Sequence, residues 1–263
     1  MPPTIFFARL KFISKIIAIA AFAFPAIPLQ WLFVRFSMSA QKHLPVVFHR
    51  YVAFILGLRI HVVSAPSKNR PLMLVSNHVS WLDIVALSAI CPISFIAKSE
   101  VEGWGIFGLF ARLQRSVFVN RSRRIATKKV NQTIAERLKQ NDVMLLFGEG
   151  TTGNGCRVLP FKSSLIGVAG ELKDLWFQPV SIAYTKLSGL PAGRYNQAHV
   201  AWYGDMELLP HLRDVFTGSS MDVVIHFGEA HQIDTKTNRK TMALNLESAS
   251  RNMTYEAHYG RKI

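Results

Sequence analysis

The sequence predicts an α/β fold: a layered mixed sheet flanked by helices, with an N-terminal hydrophobic, membrane-associating helical segment. Two observations carry the layered domain. Beyond residue 64 short apolar runs alternate with segments of helical period, the order that builds a sheet covered by helices. One run, residues 143–147, is apolar at every position, as in a strand buried on both faces. A third observation carries the N-terminal segment. Residues 16–34, "IIAIAAFAFPAIPLQWLFV", hold no charge and lie between Arg9, Lys11 and Lys15 on one side and Arg35 on the other.

About 20 apolar residues cross a bilayer, so that run is just long enough. Pro25 and Pro28 interrupt it, and basic residues at both ends leave its orientation open. A signal peptide begins the same way, but no convincing small-x-small cleavage site precedes the basic "RFSMSAQKH" stretch. The expectation is a retained anchor, spanning or re-entrant. Residues 46–63 mix Phe48, Tyr51, Phe54, Ile55 and Leu58 with Arg50 and Arg59. They read as an interfacial helix running into a first strand, and an ordinary core helix fits them too. Strands are then expected at 72–75, 93–97, 116–119, 143–147, 176–184 and 223–227, with helices at 80–90, 104–113, 125–139 and 238–258. No repeat or linker divides the chain, so the expectation is a membrane-associating segment over 1–63 and one domain over 64–263.

Apolar residues make up 49% of the chain, yet 31 basic residues face only 16 acidic ones, a net charge of +15. An anionic partner follows. The basic residues are scattered apart from Arg121, Arg123 and Arg124, and no nucleic-acid-binding signature is present. High hydropathy with high basicity points to an anionic membrane surface, not nucleic acid. Two cysteines, Cys91 and Cys156, are too few for a disulfide framework or a four-ligand zinc site. No metal or cofactor is expected.

One stretch invites a different reading. In "MLLFGEGTTGNG" the residues Gly148, Gly150 and Gly153 fit G-x-G-x-x-G after an apolar strand, the fingerprint of a dinucleotide loop. Such a loop opens a helix, and the next strand ends in an acid. Here Pro160 delays any helix, and the next strand ends in Tyr184, Thr185 and Lys186. Nor does the stretch fit G-x-x-x-x-G-K-[ST]. The glycines serve other chemistry.

"VSNHVSWLD" offers it. His78 and Asp83 are five apart, which puts them off a common helical face. With His78 in the loop after a strand and Asp83 on the first helical turn, the carboxylate can reach back to the ring, as an orienting acid does to a base. The plain alternative is a helix start in which Asn77 or Ser80 caps and Asp83 favours the helix dipole.

The chain resembles the glycerolipid and lysophospholipid acyltransferase family, whose members carry ordered sequence blocks. Asn77, His78 and Asp83 match N-H-x-x-x-x-D. "VFVNR", ending in Arg121, matches the apolar strand closed by an arginine. Glu149, Gly150 and Thr151 match the E-G-T run, while Lys162 and Pro179 match a later lysine and a proline-started strand. The resemblance runs over roughly residues 72–184. It implies acyl transfer from a thioester, on acyl carrier protein or coenzyme A, to the free hydroxyl of a lysolipid. His78 would be the general base and Asp83 would hold its tautomer and stabilise the imidazolium. No acyl-enzyme is implied, so Ser80 and Cys156 are not nucleophiles. Asn77, Arg121, Glu149, Gly150, Thr151, Thr152 and Lys162 would bind the acceptor. Arg121 would grip its phosphate or carboxylate, and the loop glycines would bring backbone N–H groups close to an anion. Family habit also implies the cytoplasmic face of a cell inner membrane.

One departure bears on the acceptor. Where lysophosphatidate acyltransferases commonly have E-G-T-R, this chain has Thr152. "EGTTGNGCRVLPFKSSL", "FIAKSEV" and "LQRSVFVNRSRR" look more like bacterial lyso-ornithine lipid acyltransferases, whose acceptor lacks phosphate. Family habit favours 1-acyl-sn-glycerol-3-phosphate, motif detail favours lyso-ornithine lipid, and both stay open. Of another class, a non-enzymatic membrane-surface protein would use His78 and Asp83 structurally. A hydrolase lacks its G-x-S-x-G elbow.

Overall fold

In the computed structural model the described residues are 3–119, 124–166, 174–232 and 238–260. Arg121 lies outside them. The chain opens with helix α1, Pro3–Arg35, which at about 1.5 Å per residue is roughly 50 Å long. Pro25 and Pro28 sit inside it without ending it, so the expected interruption does not occur. Contacts along the whole helix hold it. Phe12 and Ile19 pack on the domain core, and Ala23 and Gln30 are buried. Those four positions, seven, four and seven residues apart, lie on one helical stripe. Lys11 Nζ donates to the Thr217 and Gly218 carbonyls, Tyr51 to the Ala18 carbonyl, and Gln30 Nε2 to those of Gln41 and Leu113. The opposite side is apolar and bare, with Phe24 85%, Ile17 62% and Trp31 59% exposed. By length and composition alone, Phe6–Arg35 could cross a membrane.

Helix α2, Leu44–Leu56, returns alongside α1, starts with Pro45 in its first turn, and ends at Gly57 in the left-handed conformation. It leads into β1, Leu58–Val63. Then follow β2, Leu72–Ser76; α3, Leu82–Ser88; β3, Ser94–Lys98; α4, Ile106–Leu113; β4, Val117–Val119; α5, Arg124–Lys139; and β5, Met144–Phe147. The rest is α6, Ser163–Ile166; β6, Trp176–Leu187; β7, Leu190–Pro191; α7, Leu208–Thr217; β8, Met221–Phe227; β9, His231–Gln232; and α8, Arg239–Tyr259. The described strands form one sheet in the order β1-β8-β6-β2-β5-β3-β4, with β7 and β9 on β6. Pairs β6–β2, β2–β5, β5–β3, β3–β4 and β1–β8 are parallel, and β8 runs antiparallel to β6. This is the mixed, helix-flanked sheet expected. Its first strand comes from the last residues of the segment assigned to the membrane-associating end.

Alternation along β2 shows how the layers form. Leu72 and Leu74 point to one face, against α2, α3 and α7. Met73 and Val75 point to the other, against α5 and α8. Every residue of β2 is buried, which is why the strand reads as an unbroken apolar run. Because β2, β5, β3 and β4 are parallel, the loops after them collect along one edge, the carboxyl edge where sites of such sheets form.

Candidate active site

The loop after β2 carries Asn77 and His78 and enters α3 through Trp81. His78 Nδ1 lies 2.8 Å from Asp83 Oδ2, the reach-back that the spacing of five allows. Neither Asn77 nor Ser80 caps α3, as the plain reading had it. No side chain caps α3; the Asp83 carboxylate instead turns back onto the loop before the helix, Oδ2 accepting the N–H groups of Val79 at 2.6 Å and Ser80 at 3.0 Å. Its other oxygen accepts the Tyr184 hydroxyl at 2.8 Å. Asp83 is fully buried, so each bond is made away from competing water. A carboxylate only accepts, so Nδ1 of His78 carries the proton and Nε2 keeps its lone pair. The imidazole also stacks on Phe147, with ring centres 3.7 Å apart and planes within 9°. Its side chain stays 16% exposed. An oriented ring with a free basic nitrogen can take a proton from a hydroxyl, and the buried carboxylate can stabilise the cation formed.

The loop after β5 holds the histidine backbone. Glu149 is 2% exposed, and its oxygens accept the N–H groups of His78 at 3.2 Å and Leu159 at 2.9 Å. Burial pushes the Glu149 carboxyl up to about 8, against the downward pull of those two donors. The Gly153 N–H donates to the His78 carbonyl at 2.8 Å. Gly148 N–H donates to Ser76 and Gly150 N–H to Phe147. Hence the glycines do not present these N–H groups to an anion. A side chain at Gly148 would sit 2.6 Å from the Phe161 ring, and Gly150 has φ +67°. Their task is close packing and a sharp turn beneath His78.

Asn77 also departs from its expected place on the acceptor. It is 3% exposed, and its amide makes both a donor and an acceptor bond with the Ile182 backbone on β6, at 2.9 and 2.8 Å. It splices the loop onto the sheet. Glu149, with both oxygens occupied, is likewise framework for His78. Thr151 and Lys162 are exposed and Thr152 half-buried on the same loop. Tyr184 and Phe147 were not singled out from sequence. Each ends or nearly ends an apolar strand at the carboxyl edge, which was the available signal. Burial and the Asp83 charge raise the Tyr184 phenol well above its ordinary range, so it stays a donor.

Two side chains are poorly placed to attack. Among the described residues Ser80 Oγ is buried without a partner, and burial pushes the Cys91 thiol up to about 11, away from the thiolate that attacks. Cys156 is an exposed free thiol.

A family model described as Acyltransferase matches residues 58–183. The chain is 45% identical to the lyso-ornithine lipid O-acyltransferase of Brucella abortus, over 94% of each chain. It is 39% identical to the lyso-ornithine lipid O-acyltransferase of Rhizobium meliloti, over 89% of this chain and 82% of that one. The crystal structure of the 1-acyl-sn-glycerophosphate acyltransferase of Thermotoga maritima shares the fold, with a TM-score of 0.66 at 20% identity over 95% of this chain and 97% of that one.

Proposed function

We propose, from the premise that this chain belongs to the acyltransferase family, that it esterifies the free hydroxyl of lyso-ornithine lipid with a fatty acyl group from a thioester. The transfer chemistry rests on one observation: a fixed histidine at the carboxyl edge with Nδ1 tied to a buried carboxylate and Nε2 free. In this reading the acceptor hydroxyl loses its proton to His78 Nε2 as its oxygen attacks the thioester carbonyl. Asp83 stabilises the imidazolium. The tetrahedral intermediate then expels the thiolate, which takes the proton from the His78 imidazolium, leaving ester, free thiol and neutral His78. His78 and Asp83 are the catalytic residues of this scheme, with Tyr184 and Glu149 holding them. Thr151, Thr152 and Lys162 border the acceptor in this reading, and Arg121, which lies outside the described residues, would pair with its carboxylate.

For the acceptor, support comes from relatives named for lyso-ornithine lipid over nearly the full chain and from Thr152 in place of a phosphate-pairing arginine. The likeness to a lysophosphatidate enzyme of known structure extends to fold alone. Acyl carrier protein or coenzyme A carries the donor, and no cofactor takes part. The bare apolar side of α1 beds into the bilayer while its other side stays docked on the domain. In this reading the site works at the lipid surface, on the cytoplasmic face of the inner membrane where thioesters are made. Purified enzyme assayed with acyl-carrier-protein and coenzyme A thioesters, on lyso-ornithine lipid and lysophosphatidate side by side, tests this. Lyso-ornithine lipid should have the higher kcat/KM; a preference for lysophosphatidate would overturn the acceptor, and no turnover on either would overturn the whole.

A further inference from the structure

At the opposite end of the sheet from His78, a cleft of about 200 Å³ opens at the starts of β2, β3 and β5. That exceeds the roughly 30 Å³ of one water several-fold. Lys42, Arg70, Arg115 and Asp142 line it. Asp142 is 5% exposed and takes three cations: Lys42 at 2.6 Å, Arg115 at 2.8 Å and Arg137 at 2.5 Å. Three positive charges on one carboxylate leave two in excess, with the arginine side chains only 16% and 15% exposed. Arg70 adds another. Its guanidinium hydrogen-bonds the Ser67 and Asn69 carbonyls, and among the described residues no carboxylate pairs with it. Burial, with the adjacent Arg115 charge, lowers Arg137 from the usual guanidinium range even against the pull of Asp142. Excess positive charge held out of water is costly unless an anion joins it.

The cleft also has a place in the molecule. Lys42 sits in the short turn between α1 and α2, and the preceding Phe36 and Met38 are 64% and 45% exposed. An apolar tip beside a basic pocket is the pairing that takes a phosphate at a bilayer surface. We propose that this cleft is an anion site for a phosphate group, presented by an anionic lipid head group or free in solution. It is separate from the transfer chemistry.

The test uses the full chain and two double variants that remove equal charge: Lys42→Gln/Arg70→Gln in the cleft, and Lys186→Gln/Arg194→Gln away from it. One arm measures thermal stability in nonionic detergent with sodium phosphate against sodium chloride at equal ionic strength. The other measures partition onto phosphatidylcholine vesicles with and without phosphatidylglycerol. The cleft variant should lose about 25-fold of the phosphatidylglycerol-dependent partition, near five-fold per cation, while the control loses far less. A phosphate-dependent rise in melting temperature, absent in the cleft variant, would identify free phosphate as a ligand. A response confined to vesicles would identify the head group. Equal losses in both variants, or no response in either arm, would overturn the site. Arg70→Gln alone leaves the Asp142 ion pairs untouched and keeps the test valid if the double variant is unstable. Acyl transfer to detergent-dispersed acceptor should be unchanged, which separates failure here from failure of the proposed reaction.

Discussion

The Tyr184 hydroxyl donates to Asp83 Oδ1 at 2.8 Å, closing a carboxylate whose other oxygen holds His78. Among the described residues nothing else bonds Oδ1, so Tyr184→Phe leaves a buried acceptor unmatched. That should cost about 1–3 kcal/mol of stability. It should also let the carboxylate rotate, lowering kcat about 10-fold while KM for the lipid stays the same. Steady-state kinetics and melting curves on the purified variant check both. A rise in KM with unchanged kcat would place Tyr184 on the acceptor instead.

His78→Ala should remove transfer by roughly 10²- to 10⁴-fold, the range for a lost general base, with folding intact because the side chain is partly exposed. Asp83→Asn is the sharper probe. Its carbonyl can keep the bonds to His78, Val79 and Ser80, and its NH2 can face the Tyr184 oxygen. The framework around His78 then survives, with the charge lost and the buried Tyr184 O–H left without an acceptor. Activity should fall as in His78→Ala, with a stability loss of only about 1–3 kcal/mol. An active Asp83→Asn enzyme would mean that the carboxylate serves the fold alone.

Glu149 gives a pH signature. Its folded value of about 8 lies above the ordinary 4.5, so the folded chain holds a proton there that the unfolded chain releases. The stability tied to that proton is fully present below the unfolded value and is lost as pH rises through the folded one. Melting temperature should therefore fall between pH 6 and 9. Glu149→Gln cannot ionise, but it leaves one of two backbone N–H groups without an acceptor. It should be less stable at pH 6 by about 1–3 kcal/mol, with the gap narrowing by pH 9. Parallel curves would show that Glu149 does not titrate in this window.

These three predictions also mark what the sequence made legible. The layers could be read because strands such as β2 are buried on both faces and so appear as apolar runs. The His78–Asp83 pair could be read because both partners lie within one loop and one turn. Tyr184 could not, since it meets Asp83 from 101 residues away. The role of the glycine loop was hidden for a similar reason: of the three carbonyls its glycine N–H groups bond, those of Ser76 and His78 come from a strand and loop some 70 residues earlier. In α1 the prolines looked like breaks, and the contacts with α2, α4 and α7 that keep the helix whole are tertiary.

Those contacts set the membrane prediction. Removing residues through Arg35 would bare Phe48, Tyr51 and Phe216, which pack on Phe22 and Phe12, and would confuse unfolding with release. Phe24→Ser/Trp31→Ser changes only the exposed side. Each ring withdrawn from lipid should cost about 1.5–3 kcal/mol, so vesicle partition at high salt should fall at least 100-fold with the melting temperature unchanged. Partition equal to wild type would mean that α1 does not insert by this side.

Position 152 decides the acceptor. Thr152 is half-buried on the loop whose next residue, Gly153, bonds the His78 carbonyl, so a long side chain there can reach a head group bound over the histidine. Thr152→Arg adds a guanidinium, which on a phosphate makes a charge-assisted hydrogen bond of about 1.5–3 kcal/mol. Lyso-ornithine lipid carries an ammonium instead, and a second cation beside it is repulsive. The substitution should therefore lower kcat/KM for lyso-ornithine lipid and raise it for lysophosphatidate, moving the ratio of the two by about 10-fold or more. Because both acceptors are measured on one preparation, a loss of folding cancels in the ratio. An unchanged ratio would mean that position 152 turns away from the head group, and selection would then rest on Arg121, Thr151 and Lys162.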